Sequence, residues 1–133
     1  MFDALDIGAS ALTAQRTRMD TIASNVANIN VTRNEKGEPI PFRRRIALLQ
    51  PQADASGAPG VSIAKIIQDE APFRKVYEPG HPDADIEGYV QYPNIDLAME
   101  MVNMMDASRA YEANVTMMET TKAMISSSLR LIA

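Results

Sequence analysis

The sequence predicts an α+β chain: two long terminal helices, pairing as an antiparallel coiled coil, flank a small β-rich insert. Three patterns carry this expectation. Apolar residues repeat in heptads through residues 94–133, and a matching repeat runs through residues 3–29. The segment between them is rich in β-branched residues and in turn formers. The expected organisation is an N-terminal helix segment in residues 1–33, an insert in residues 34–93 and a C-terminal helix segment in residues 94–133.

The C-terminal stretch contains no Gly and no Pro. Alternating steps of four and three select Leu97, Met101, Met104, Ser108, Tyr111, Val115, Met118, Lys122, Ile125, Leu129 and Ile132. All but Ser108 and Lys122 are apolar or aromatic, which is the seam of a long helix. At 1.5 Å per residue such a helix reaches about 55 Å. A short chain cannot cover it alone, so the helix implies a partner. Ser108 and Lys122 interrupt the seam, and polar interruptions of this kind set register and oligomer state. Asn94 is placed to cap the helix, with Asp96 in its first turn. Asp106–Arg109, Arg109–Glu112 and Glu119–Lys122 are spaced as i, i+3 pairs, which serve either a solvated face or lateral registration between neighbouring subunits.

The N-terminal seam is Leu5, Gly8, Leu12, Gln15, Met19, Ile22, Val26 and Ile29. Asp3 suits the N-cap, and six alanines between residues 4 and 27 keep the helix slim enough for close approach. Asn28 and Asn30 suit a left-handed terminus.

Between the helices, residues 34–39 read as a polar turn and residues 42–50 as a strand. Residues 52–60 read as a flexible loop, 61–67 and 73–78 as strands, 79–85 as a dense turn and 88–92 as a short fourth strand. An insert of this size is near the lower limit for independent folding.

Composition narrows the function classes. The chain has 133 residues, is 46% hydrophobic and 23% charged, and carries a net charge of −4. Arg43, Arg44 and Arg45 are consecutive on a strand and so point to alternating faces, and with no second basic cluster nucleic acid is not an expected partner. No run is apolar enough to insert in a membrane, and the acidic start lacks the features of a cleavable secretory signal. Cysteine is absent, which excludes disulfides and thiolate chemistry. His81, the single histidine, lies near Asp83 and Asp85, but their spacing matches no established metal cage. No catalytic constellation and no phosphate-binding glycine loop are present, so no catalytic residue, cofactor or metal is assigned. Nine Met are present, seven of them in the C-terminal stretch. Methionine adapts to varied surfaces, which suits a face that meets non-identical neighbours.

The stretches SALTAQ (10–15), Arg18-Met19 and ASNVAN (23–28) resemble the N-terminal signature of bacterial flagellar axial proteins, the rod, hook and hook-associated subunits. EMVNMMDASRAYEANV (100–115) resembles their C-terminal signature. VYEPGHPDADIEGYVQYPN (76–94) narrows the resemblance to the proximal rod. The matching positions include Gln15, Ser24, Asn25, Asn28, Tyr77, Pro79, Gly80, Gly88, Asn103, Arg109 and Asn114. The sequence departs from the pattern in a slightly shorter start and in Asn30-Val31-Thr32 where a threonine pair is usual.

The resemblance implies a structural subunit of the basal-body rod, with terminal helices in the inner layer of a tubular axle and the insert outside. It implies export through the flagellar type III apparatus without a cleaved signal, placement in the periplasmic rod, and neighbouring rod and basal-body subunits as partners in a hetero-oligomeric helical assembly. That assembly would transmit torque from motor to hook and filament. A soluble coiled-coil adaptor unconnected to flagella is the alternative from another class, and a small metal enzyme around His81 is a third reading.

Overall fold

The computed structural model describes residues 2–53 and 57–133. It is an α+β chain: α1 (Phe2–Ala27), β1 (Arg45–Ala53), β2 (Pro59–Gln68), β3 (Arg74–Tyr77), β4 (Tyr89–Tyr92) and α2 (Leu97–Ile132). The strands form two separate two-stranded sheets, β1 with β2 and β3 with β4. The expected loop at 52–60 lies partly outside the described residues; Gln52 and Ala53 belong to β1, and Pro59 and Gly60 to β2.

The helix ends differ in detail from expectation. Asp96, not Asn94, caps α2: its Oδ1 accepts the Ala98 N–H at 3.0 Å. The Asn94 carboxamide is taken up elsewhere, accepting the Arg44 N–H at 3.0 Å and donating to the carbonyls of Asp69 and Ala71. No described residue other than glycine has positive φ, so α1 does not end in a left-handed asparagine. It closes by tightening: the N–H groups of Asn28 and Ile29 donate to the carbonyls of Asn25 and Val26, and the Asn28 side chain donates to Ser24 O at 2.7 Å.

By internal contacts the chain divides into two units: Met1–Met19 with Ala47–Lys65 and Met105–Ala133, and Asp20–Ile46 with Ile66–Met104. In the first, Gly8 of α1 lies against α2. A Cβ at Gly8 would sit 2.7 Å from Met118 Cγ, so a side chain there would force Met118 to shift. Ser10 ties α1 to β2: its hydroxyl donates to Ile7 O at 2.8 Å and accepts the Val61 N–H at 3.0 Å.

In the second unit β3 and β4 pair antiparallel, Arg74 opposite Tyr92 and Tyr77 opposite Tyr89. Val90 of β4 is wholly buried, as is Pro93 after it, and Ile95 is nearly so. The tip between β3 and β4 depends on Gly88, whose φ of +87 a side chain rarely adopts, and over which the Tyr77 ring lies. At the 34–38 turn, the Asn34 carboxamide oxygen accepts the N–H groups of Lys36 and Glu38.

The hydrophobic core is thin. Among the described residues the buried apolar side chains are Ala14, Ile22, Pro41, Val90, Pro93, Ile95 and Ala107.

Candidate assembly interface

The inner stripe of α2 follows from which residues lose water. Glu100, Ala107 and Thr121 are buried, and Asn114 and Ser128 are half-buried. These recur every seventh residue. A second row, Met104, Tyr111, Met118 and Ile125, is half-buried beside them. The first row is small or polar, and so invisible to a search for apolar repeats. Its signal in the sequence is the heptad recurrence of Glu, Ala, Asn, Thr and Ser, one residue ahead of the row counted from Met101.

Of the expected seam, Ile22 is buried, and Leu5, Leu12, Met19, Val26, Met104, Tyr111, Val115, Met118 and Ile125 are half-buried. Leu97, Met101, Leu129 and Ile132 are exposed, together with Met105 and Leu131. The single chain thus leaves a large apolar surface on α2 in water. Lys122 is exposed and Ser108 half-buried. Among the described residues no ion pair joins Asp106, Arg109 and Glu112, or Glu119 and Lys122. These side chains stay solvated, as weak i, i+3 pairs on an open face do.

In the second unit the end of α1, the start of β1 and the start of α2 meet at a polar centre. Glu100 is the largest wholly buried side chain. Arg44 Nε donates to Glu100 Oε1, and Arg44 Nη1 reaches Asp69 Oδ2 at 3.2 Å. The Asn25 carboxamide donates to Arg45 O at 2.8 Å, accepts the Arg45 N–H at 2.9 Å, and reaches Glu100 Oε2 at 3.4 Å. Asn25 therefore acts as a strand edge for β1. Burial opposes the charge on Arg44, but Glu100 and Asp69 outweigh it and hold its pKa above the ordinary value. The Ala71 N–H, and then Arg44, hold the Asp69 carboxyl below the usual carboxylate range. A buried carboxylate is tolerated only with such partners.

The other two arginines are also engaged within the chain. Arg43 donates to the carbonyls of Asp69 and Ala71 and lies 4.2 Å over the Phe73 ring. Arg45 lies 5.3 Å over Phe42. At the 79–85 turn, Asp83 accepts from Thr32 at 2.8 Å and Arg33 at 2.7 Å, and the Thr32 hydroxyl, then Arg33, lowers its pKa. His81 Nδ1 accepts the Asp83 N–H. Among the described residues no three His, Cys, Asp or Glu side chains are grouped to hold a metal. No helix is long and apolar enough to cross a membrane.

The motif residues fall into three places. Asn25 is in the polar centre, and Ser24 and Asn28 form the end of α1. Tyr77, Pro79 and Gly88 pack together at the β3–β4 tip, while Gly80 has nothing within 4 Å of where a Cβ would be. Gln15 and, on α2, Asn103 and Asn114 are half-buried, and Arg109 is exposed. The Gln15 Oε1 is buried without a hydrogen-bond partner. Sequence reasoning missed Glu100, Arg44 and Asp69 as a unit, because their partners come together only through the fold.

Two terminal helices, a small insert and an uncovered apolar helix face define a subunit built to assemble with others. Residues 5–34 match the family described as "Flagella basal body rod protein", and residues 86–131 that described as "Flagellar basal body rod FlgEFG protein C-terminal". The flagellar basal-body rod protein FlgC of Bacillus subtilis (strain 168) is 42% identical over 145 residues, covering 98% of this chain and 97% of the relative. FlgC of Escherichia coli O157:H7 is 43% identical over 132 residues with the same coverage. FlgC of Borreliella burgdorferi is 36% identical over 150 residues. The chain belongs to the FlgC family of flagellar basal-body rod proteins. It is a structural rod subunit and not an enzyme. Nothing in these likenesses supports an adaptor unconnected to flagella.

Proposed function

We propose that the chain builds the proximal part of the rod with its terminal segments, residues 1–33 and 94–133, as an inner antiparallel coiled-coil layer and residues 34–93 as an outer layer. The assembled axle transmits torque from motor to hook and filament. The observation that carries this reading is the exposed apolar side chains at the two ends of α2, Leu97, Met101, Val102 and Met105 at one and Met124, Leu129, Leu131 and Ile132 at the other. So large an uncovered apolar surface marks an interaction face. Pairing of the two helices is supported in the first unit by Gly8 against Met118 and in the second by Asn25 against Glu100.

The partners are neighbouring rod and basal-body subunits, met in the periplasm after transit through the flagellar type III export apparatus without a cleaved signal. With so thin a core, the free subunit has little to hold its helices together, so packing on neighbours supplies the ordering free energy. Cryo-electron microscopy of isolated basal bodies tests the placement. The reading expects both terminal helices lining the axle and residues 34–93 outside them. Helices on the outer surface, or the chain absent from the rod, would overturn it.

A further inference from the structure

We propose that the β3–β4 tip of one copy docks into an arginine- and phenylalanine-lined groove on a second copy, a lateral contact made by the insert and not by the helices. The proposal rests on the rod reading above.

The groove lies in the second unit and has a volume of about 540 Å³. Phe42, Arg43, Arg45 and Phe73 line it, with Arg33 and the single acid Glu35 at its side. Arg43 and Arg45 stack on the two phenylalanine rings and form no ion pair among the described residues, although Asp69 feels the charge of Arg43 and Arg33 is paired with Asp83. On a chain of net charge −4 this leaves exposed Arg45 as the groove's uncompensated positive charge, set over an aromatic wall.

The tip has the opposite character and is preformed. Ile86 stands fully in water at 106% relative exposure, between exposed Asp85 and Glu87. Beside it the exposed rings of Tyr77 and Tyr89 meet edge to face at 5.3 Å. The positive φ of Gly88 and the Asp85 carboxylate, which accepts the Tyr89 N–H at 2.8 Å, fix the turn. Neither Asp85 nor Glu87 has a cationic partner among the described residues. An ordered tip loses little freedom on binding, and tyrosine with an aliphatic anchor is the composition of an interface centre.

Tip and groove therefore complement each other in charge and in apolar content, yet both are open in the single chain. A contact between two different patches of one chain is heterologous and propagates from copy to copy, as a helical tube requires.

The wild-type chain has no cysteine, so a thiol cross-link reports this contact cleanly. The full chain carrying Ile86→Cys and Arg45→Cys replaces the native copy in motile cells, which are treated with a short bis-maleimide before basal bodies are isolated. The expected product is a ladder of multimers of the chain, with monomer only from either single substitution. Rods that contain the doubly substituted chain but give no ladder overturn the contact and leave the rod reading intact. Dimers from Ile86→Cys alone, or adducts to another protein, also overturn it. Absence of even the wild-type chain from basal bodies would instead overturn the rod reading.

Charge reversal decides the matter if the cysteine chain does not incorporate. Arg45→Glu and Glu87→Arg should each lower rod incorporation by at least about tenfold, and the two together should restore most of it. Failure of the pair to restore incorporation overturns the proposal.

Discussion

Asn25 Nδ2 donates to Glu100 Oε2 at 3.4 Å, while the same carboxamide exchanges two hydrogen bonds with the backbone of Arg45. The end of the first helix and the start of the second are thus joined through the first strand. Both polar side chains are buried, and both are satisfied only when that strand is in place.

Replacing Glu100 by Gln removes the charge that faces Arg44, and should cost about 2 kcal/mol. A paired change, Arg44→Met with Glu100→Leu, should recover most of that loss, since it leaves no unpaired charge. Thermal melting followed by near-ultraviolet circular dichroism checks both, because three of the four tyrosines lie between residues 77 and 92.

Gly8 faces Met118 too closely for a side chain unless Met118 shifts. Gly8→Val should impair rod assembly and swarming, and Met118→Ala should restore part of the loss by opening space. A Gly8→Val strain that swarms normally would show that the two helices do not approach closely in the rod.

Gly88→Ala places a Cβ 2.9 Å from Tyr77 Cε2 and forces a side chain into positive φ. It should cost at least about 1–2 kcal/mol. Removing the ring as well, with Tyr77→Ala, relieves the clash but not the backbone term, so stability should not return to that of Tyr77→Ala alone. The same melting assay reads this.

Acid should loosen the second unit through Asp69 and Asp83. The Ala71 N–H and Arg44 depress the first carboxyl, and Thr32 and Arg33 depress the second. A depressed folded pKa means stability that is complete above the unfolded value of about 3.9 and is lost as pH falls through the folded one. Asp83→Asn should therefore flatten the acid limb of a stability–pH curve below about pH 4. Tyr92 works in the opposite sense. Its hydroxyl donates to Glu78 and its pKa is raised, so its contribution fades as pH rises through that raised value.

The seam makes a prediction in cells. Leu12→Asp and Val115→Asp, both at half-buried positions, should block rod assembly while leaving expression unchanged. Normal motility in both strains would remove these residues from any assembly seam.

The helix–insert–helix order was legible because heptads and turn formers are local signals. The polar centre was not, because Asn25, Arg44 and Glu100 are far apart in sequence and meet only in the fold. The inner stripe of α2 was half legible. Met104, Tyr111, Met118 and Ile125 stand out as apolar, while Ala107 and Thr121 are buried because small residues let another surface approach. Position alone marks Asn94 as a helix cap, but its amide group bonds the chain around Arg44 and Asp69, and Asp96 takes the cap.

Packing on neighbouring subunits should be what orders the terminal helices. Hydrogen exchange on the dilute monomer and on isolated rods reads this. Protection should be weak across residues 105–132, beyond the polar centre, in the monomer and strong in the rod. Strong protection of both helices already in the dilute monomer would contradict it.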